Sequence, residues 1–232
     1  MAEARALLTD VVRRVSPIAP LRWMGQGWSD LSQAPFAFLI YGLLAFLVGL
    51  SFSDALAERT ENPWALPLTC LMVFAAPMFL LGLYEAGRLI DSGQRPTLGL
   101  MLFVQGAARI DVLLLGCASV FLYLVAAGIA PLFQHFMPFE VVCAVALAFV
   151  AACIAFVATP MMLDARRDIA SVARASFVVA SKNLVPLSVW LGVVVALSVV
   201  TLASDYIALV IIFPWLGLAG WRAYRELSGA AL

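Results

Sequence analysis

The residues best equipped for chemistry are few and far apart. A single histidine, His135, sits in the stretch Pro131-Leu-Phe-Gln-His-Phe-Met-Pro138. Zinc takes three or four ligands together, and haem needs axial ligands projecting from the helices around it, so an isolated histidine between runs serves neither. Cys70, Cys117, Cys143 and Cys153 include no C-x-x-C pair. All four fall in apolar runs, where they read as small hydrophobes and not as disulfides. No P-loop, G-x-G-x-x-G, H-E-x-x-H or G-x-S-x-G is present. Asp111, Asp164 and the pair Glu85–Arg88 lie at the ends of apolar runs, where water or a neighbouring charge can satisfy them. Asp164 stands beside Arg166 and Arg167, as a boundary ion pair would. The expectation is a chain with no catalytic residue, no cofactor and no metal.

The elements that carry these residues follow from composition. Of 232 residues 64% are hydrophobic and 12% charged, and the mean hydropathy is +1.03. Soluble domains carry about 45–50% apolar and about 25% charged residues. Fourteen cations and fourteen anions cannot tile the surface of a soluble chain this long, so the sequence predicts an integral membrane protein. A formal net charge of zero leaves no basic field for nucleic acid.

A membrane-crossing helix needs about 20 mostly apolar residues. Six stretches meet that length approximately, at Pro35 to Ala57, Trp64 to Leu83, Val112 to Ala130, Val141 to Pro160, Leu184 to Leu202 and Ile207 to Trp221. Continuous runs, with no ten-residue alternation, predict helices and not a barrel. The expected fold is all-α, with six spans in three parallel hairpins. Residues 1–34 form an N-terminal amphipathic segment, 35–227 the membrane domain and 228–232 a short tail.

Charge distribution predicts the orientation. Arg5, Arg13, Arg14 and Arg22 precede the first span. Arg88, Arg95 and Arg109 follow the second, and Arg166, Arg167, Arg174 and Lys182 follow the fourth. Arg222 and Arg225 follow the sixth, which leaves Arg59 alone on the opposite side. The positive-inside rule then places both termini in the cytoplasm, in a bacterial inner membrane. The first 34 residues mix Arg with Glu3, Asp10 and Asp30 and lack an apolar h-region, so the first span is expected to act as the insertion signal. Ala4, Leu7, Leu8, Val11, Val12 and Val15 recur at helical spacing, predicting a short amphipathic helix closed by Pro17 and Pro20. It can lie on the lipid surface or on the protein's own cytoplasmic face.

Cytoplasmic connections are the longer ones. Tyr84 to Gly93 reads as a continuation of the second span, with Gly93 at C′ and Pro96 ending the element. Thr97 can cap a piece from Leu98 to Arg109. Asp164 to Lys182 reads as an amphipathic helix with Ile169, Val172, Ala173, Phe177 and Ala180 on its apolar side. Pro77, Pro160 and Pro214 lie at similar depth in the second, fourth and sixth spans, where each removes a helix bond and is expected to kink its helix.

Several segments together carry a resemblance. They are Gly25-Gln-Gly-Trp28-Ser-Asp30-Leu31 leading to Pro35, Tyr41 and Gly42; Gly82-Leu-Tyr84-Glu85-Ala-Gly-Arg88-Leu-Ile-Asp91-Ser-Gly93-Gln-Arg-Pro96; Pro160-Met-Met-Leu163-Asp164 with Asn183 and Pro186; and Pro214-Trp-Leu216-Gly217 with Trp221-Arg-Ala223-Tyr224-Arg225. From about Trp23 to Leu227 the chain resembles the bacterial integral membrane family called domain of unknown function 2189. The resemblance implies a six-helix inner-membrane protein, some relatives of which carry a cytochrome oxidase-related label. Its closing stretch typically holds two histidines, where this chain has Leu218 and Arg222.

Two functions fit these residues. One is a non-catalytic accessory or assembly subunit that meets the bilayer and a membrane-protein partner or a second copy of itself. Its candidate cytoplasmic contact residues are Trp28, Tyr84, Glu85, Arg88, Asp164, Arg167, Trp221, Tyr224 and Arg225, since aromatic and Arg side chains are the usual material of binding hot spots. The other is a small transporter or channel lined by helices kinked at Pro77, Pro160 and Pro214. The topology itself is testable: reporters fused at Asn62 and at Leu232 are expected in opposite compartments, and the same compartment for both contradicts it.

Overall fold

Pro35 makes the first corner of the fold. It offers no N–H to the turn before it and biases Ala34 away from helix, so one helix ends and another begins there. The computed structural model describes residues 13–57, 64–104 and 169–229, with single helical positions at 116, 117, 120, 121, 124 and 160. Helix α1 spans Ala19–Leu31 and α2 spans Pro35–Ala57. The direction changes by 110° between α1 and residues 35–50. Pro20 lies in the first turn of α1, where a missing N–H costs nothing. Pro20 thus opens a further helix, beyond the one expected to close at Pro17 and Pro20. Residues 13–18 are coil and turn, and the rest of the expected N-terminal helix lies outside the described residues.

Helix α3 spans Ala65–Asp91, joining the second expected span to its cytoplasmic continuation. It stops as its sequence predicts. Gly93 takes φ +74°, its N–H bonds to the Ile90 carbonyl and the Gln94 N–H bonds to the Leu89 carbonyl, both at 2.9 Å. Those two bonds satisfy the last carbonyls of the helix. Helix α4, Leu98–Leu102, begins after Thr97 but ends earlier than Arg109; residues 105–109 lie outside the described residues. Helix α5 spans Ile169–Lys182, α6 Leu184–Ala203 and α7 Leu209–Leu227. A tight turn joins α6 to α7, with Asp205 and Tyr206 in left-handed backbone.

All seven of these elements are helical, and no strand occurs among the described residues. One of them, α6, is by itself long and apolar enough to cross a membrane, and only 22% of its most apolar stretch is buried. The bent pair of α1 with residues 35–50 passes the same test jointly. The structure therefore carries one such span, or two if the bent pair is one, among the described residues, where six were expected. Apart from those single helical positions, the third and fourth expected spans lie outside the described residues, together with Asp111, His135, Asp164 and Arg167.

Helix α7 is the axis around which the others pack. On one side Trp23 of α1, Val179 and Ala180 of α5, and Leu187 and Trp190 of α6 close on Ala219, Ala223 and Leu227. On the other, Phe38 and Tyr41 of α2, Leu83 and Ala86 of α3, and Met101 of α4 close on Leu218. The inward face of α5 is Ala175, Ser176, Val179 and Ala180, whereas Phe177 is exposed. Of the residues expected on its apolar side, Ala180 is thus packed inward and Phe177 is not.

Helix α3 runs unbroken through Pro77 and α7 through Pro214, and Pro160 is a buried helical position. Pro214 leaves the Val210 carbonyl without its helical donor. Helix α2 brings Gly42 against that carbonyl so closely that any Cβ there would overlap it, so the freed oxygen faces protein. The contact yields a prediction. Gly42→Ala should lower stability in detergent by about 1–3 kcal/mol through overpacking, whereas Gly192→Ala, with open space around its Cβ position, should leave it unchanged or slightly raised. Equal thermal midpoints for the two variants would contradict the packing.

Candidate functional site

The charged residues of the described helices, Asp54 near the end of α2 apart, gather at one end of the bundle, where α1, α2 and α6 begin and α3 and α7 finish. Arg222, near the end of α7, is the hub. Its Nε and Nη2 donate to the two oxygens of Asp30 at 2.6 and 2.8 Å. Its Nη1 donates to Asp91 at 2.6 Å. One guanidinium thus holds a carboxylate at the end of α1 and another at the end of α3. The other oxygen of Asp91 accepts from the Trp221 indole at 2.8 Å and lies 3.5 Å from Arg225 Nε.

The side chains of Arg222, Asp30 and Asp91 are 12%, 5% and 19% exposed, so these pairs are poorly screened by solvent. Burial works against the Arg222 cation. The hydrogen bonds and charges of Asp30 and Asp91 outweigh that penalty and hold its pKa above the ordinary arginine value.

Around this hub several further polar groups are engaged. The Trp23 indole and Arg22 Nη2 donate to the two oxygens of Glu226, at 2.8 and 2.6 Å. The Trp215 indole donates to the Met24 carbonyl at 2.8 Å. Buried Asn183, between α5 and α6, accepts from the Val15 N–H and donates to the carbonyls of Arg13 and Val179. The Arg13 N–H in turn reaches the Leu227 carbonyl at 3.3 Å. The chain before α1 is therefore tied to both α6 and α7.

The residues expected to form a contact face divide into two groups. Tyr84, Glu85, Trp221 and Tyr224 are 1%, 4%, 0% and 3% exposed. Trp221 packs between Tyr84 and Tyr224, with ring centroids 6.4 and 5.5 Å away, and it leaves so little room that Gly87 opposite can carry no Cβ. Tyr84, Trp221 and Tyr224 are interior packing and Glu85 is buried under Arg88 at a cavity wall, which corrects the expectation of an exposed hot spot; burial also raises the Tyr84 hydroxyl above the ordinary tyrosine range. Arg225 is mostly buried beside Asp91. Trp28 is 51% exposed, with its ring set edge-on to Trp215 at 5.2 Å. Arg88 is 45% exposed and pairs with buried Glu85 at 2.6 Å. Asp164 and Arg167 lie outside the described residues.

Asp30, Asp91, Arg222, Asn183 and Glu226 were not among the expected site residues. The signal available for them was an acid at the close of two helices and an arginine at the close of a third. Among the described residues, no group of three or more His, Cys, Asp or Glu is placed to hold a metal ion. Comparison with protein-family models, with curated proteins and with solved structures finds no match to the chain.

Three helices depend on one guanidinium, and removing a single partner from a buried ion pair costs about 3–5 kcal/mol. Arg222→Met should lower unfolding stability in detergent by that order. Arg222→Lys should rescue little of it, because an ammonium cannot grip Asp30 with two parallel bonds and reach Asp91 as well. Full rescue by Lys in a thermal melt would contradict this geometry.

Proposed function

We propose that the protein is a multi-pass bacterial inner-membrane protein that works by association, as an accessory or assembly subunit, with its charged end in the cytoplasm. The observation that carries this reading is the state of that end. The ion pairs close on one another and fix α1 across α7, so that end is held rigid. What α1 leaves outward is an apolar stripe of Ile18, Leu21 and Trp28, exposed by 65%, 63% and 51%, beside Arg22, whose side chain is 57% exposed. A Trp and an Arg held in place on a rigid helix are the residue types that anchor binding surfaces, at low ordering cost.

Six spans with both termini inside remain the topology proposed for the whole chain. The thirteen cations of the cytoplasmic segments support it. So does the geometry, since the described helices bring Arg22, Arg88, Lys182, Arg222 and Arg225 to the same end. The resemblance to the domain of unknown function 2189 family implies the same arrangement. The packing does not favour a transport path along Pro214, because Gly42 covers the carbonyl that the proline frees.

The test is affinity purification in mild detergent, comparing the wild type with Leu21→Glu/Trp28→Glu. A stoichiometric partner or a second copy should elute with the wild type and be lost from the variant, with helical content unchanged. Solute flux into liposomes above that of empty vesicles, with no partner retained, would overturn the association reading.

A further inference from the structure

A cavity of about 320 Å³ opens where α3 ends and α4 begins, with Glu85, Arg88, Ser92, Gln94, Leu100 and Phe103 among its lining. Its volume sits at the small end of the roughly 300–1,000 Å³ typical of ligand sites. Two features set its chemistry. The first is a carboxylate and a guanidinium side by side, with Arg88 Nη2 and Nε donating to the two Glu85 oxygens at 2.6 and 2.8 Å. Glu85 is buried to 5% exposure while Arg88 is 45% exposed. The second is an apolar rim of Leu89, Leu100 and Phe103, the last 76% exposed, beside polar Ser92 and Gln94.

Each feature narrows the ligand. The Glu85–Arg88 pair has no net charge, so the cavity has no field to hold a simple anion, and the buried carboxylate opposes one directly. A ligand carrying both signs close together meets both groups. Each Glu85 oxygen accepts one bond from Arg88 and retains a further lone pair, so an added ammonium complements the pair without breaking it. The apolar rim calls for hydrocarbon at the mouth. It lies at the charged end of the bundle, which is the depth of lipid headgroups if that end faces the cytoplasm.

We propose that this cavity is a headgroup site for a zwitterionic phospholipid with a primary ammonium, of the phosphoethanolamine type. Its phosphate lies on Arg88, its ammonium on Glu85, and its acyl chain runs past Leu100 and Phe103. The Gln94 amide donates to a phosphate oxygen, whereas the Ser92 hydroxyl proton is already given to the Leu89 carbonyl at 2.8 Å. A trimethylated ammonium has no N–H to give Glu85, and a glycerol headgroup carries no cation, so the site discriminates by headgroup at equal chain length. The inference rests on the membrane reading above.

The test is native mass spectrometry of the full chain in detergent, with phosphatidylethanolamine, phosphatidylcholine and phosphatidylglycerol of identical chains, and with soluble glycerophosphoethanolamine as a fourth arm. The wild type should retain one phosphatidylethanolamine at least five-fold more often than either other lipid, and the soluble headgroup should not displace it at equal concentration. Glu85→Gln should remove the preference over phosphatidylcholine and raise phosphatidylglycerol retention. Leu100→Trp, which fills the cavity without touching a charge, should abolish retention of all three and keeps the test open if Glu85→Gln fails to fold.

Equal retention of the three lipids by the wild type would overturn the proposal, as would a preference unmoved by Leu100→Trp or displacement by the soluble headgroup. Membrane residence is read separately by alkaline extraction of membranes. Protein that stays in the pellet but shows no headgroup preference sinks the site alone, and protein released by alkali sinks the membrane reading.

Discussion

Arg222 is the residue that ties α1 and α3 to α7 at the charged end of the bundle. A guanidinium has donors in a fixed planar fork, and here three of its nitrogens are spent on two carboxylates from separate helices. Each acid alone at that depth would carry an uncompensated charge, and each costs more to bury than a neutral group. Bringing them to one cation removes the cost only if α1, α3 and α7 are all in place. The polar contacts are therefore conditional on the fold, and the fold at this end is conditional on them. Apolar packing alone would leave the helices free to slide, whereas a two-carboxylate fork sets one register.

That constraint accounts for the shape of the charged end. Helix α1 leaves α2 at 110° and crosses α7, with Trp23 and Arg22 held by Glu226 at one end and Asp30 by Arg222 at the other. With both ends tied, its inner face of Ala19, Trp23 and Gly27 is committed to α7, and only its outer face remains for lipid or a partner. The bundle beneath can then be almost wholly apolar. Helix α2 as far as Leu47 and helix α6 have exposed Val, Leu, Ile and Phe side chains, a surface compatible with a bilayer.

Local chemistry made part of this legible in advance. The boundaries of α2 were readable because Pro35 starts the helix and a long apolar run sustains it. The stop of α3 was readable because Gly93 and Pro96 are residues with a specific backbone role. The direction of side chains was not. Trp221 and Tyr224 have the composition of interfacial anchors, yet they are core, because in an apolar chain the same aromatic serves lipid boundary and helix packing equally well. Phe177 misled for the same reason: an apolar stripe no longer distinguishes protein from lipid, and the small residues Ala175, Ser176 and Ala180 mark the packed face instead. The Asp30–Arg222–Asp91 node joins residues far apart in the chain, and spacing along a sequence carries no sign of such pairing.

The claim that this node organises the bundle rests most directly on the coupling between Asp30 and Arg222. A double-mutant cycle with Asp30→Asn and Arg222→Met, read by unfolding in detergent, isolates that pair. The exposed pair Arg22–Glu226 supplies the reference, for which couplings of about 0.2–1 kcal/mol are ordinary. The account predicts a coupling for Asp30–Arg222 of about 1.5 kcal/mol or more, clearly above the reference. A coupling no larger than that of Arg22–Glu226 would contradict it.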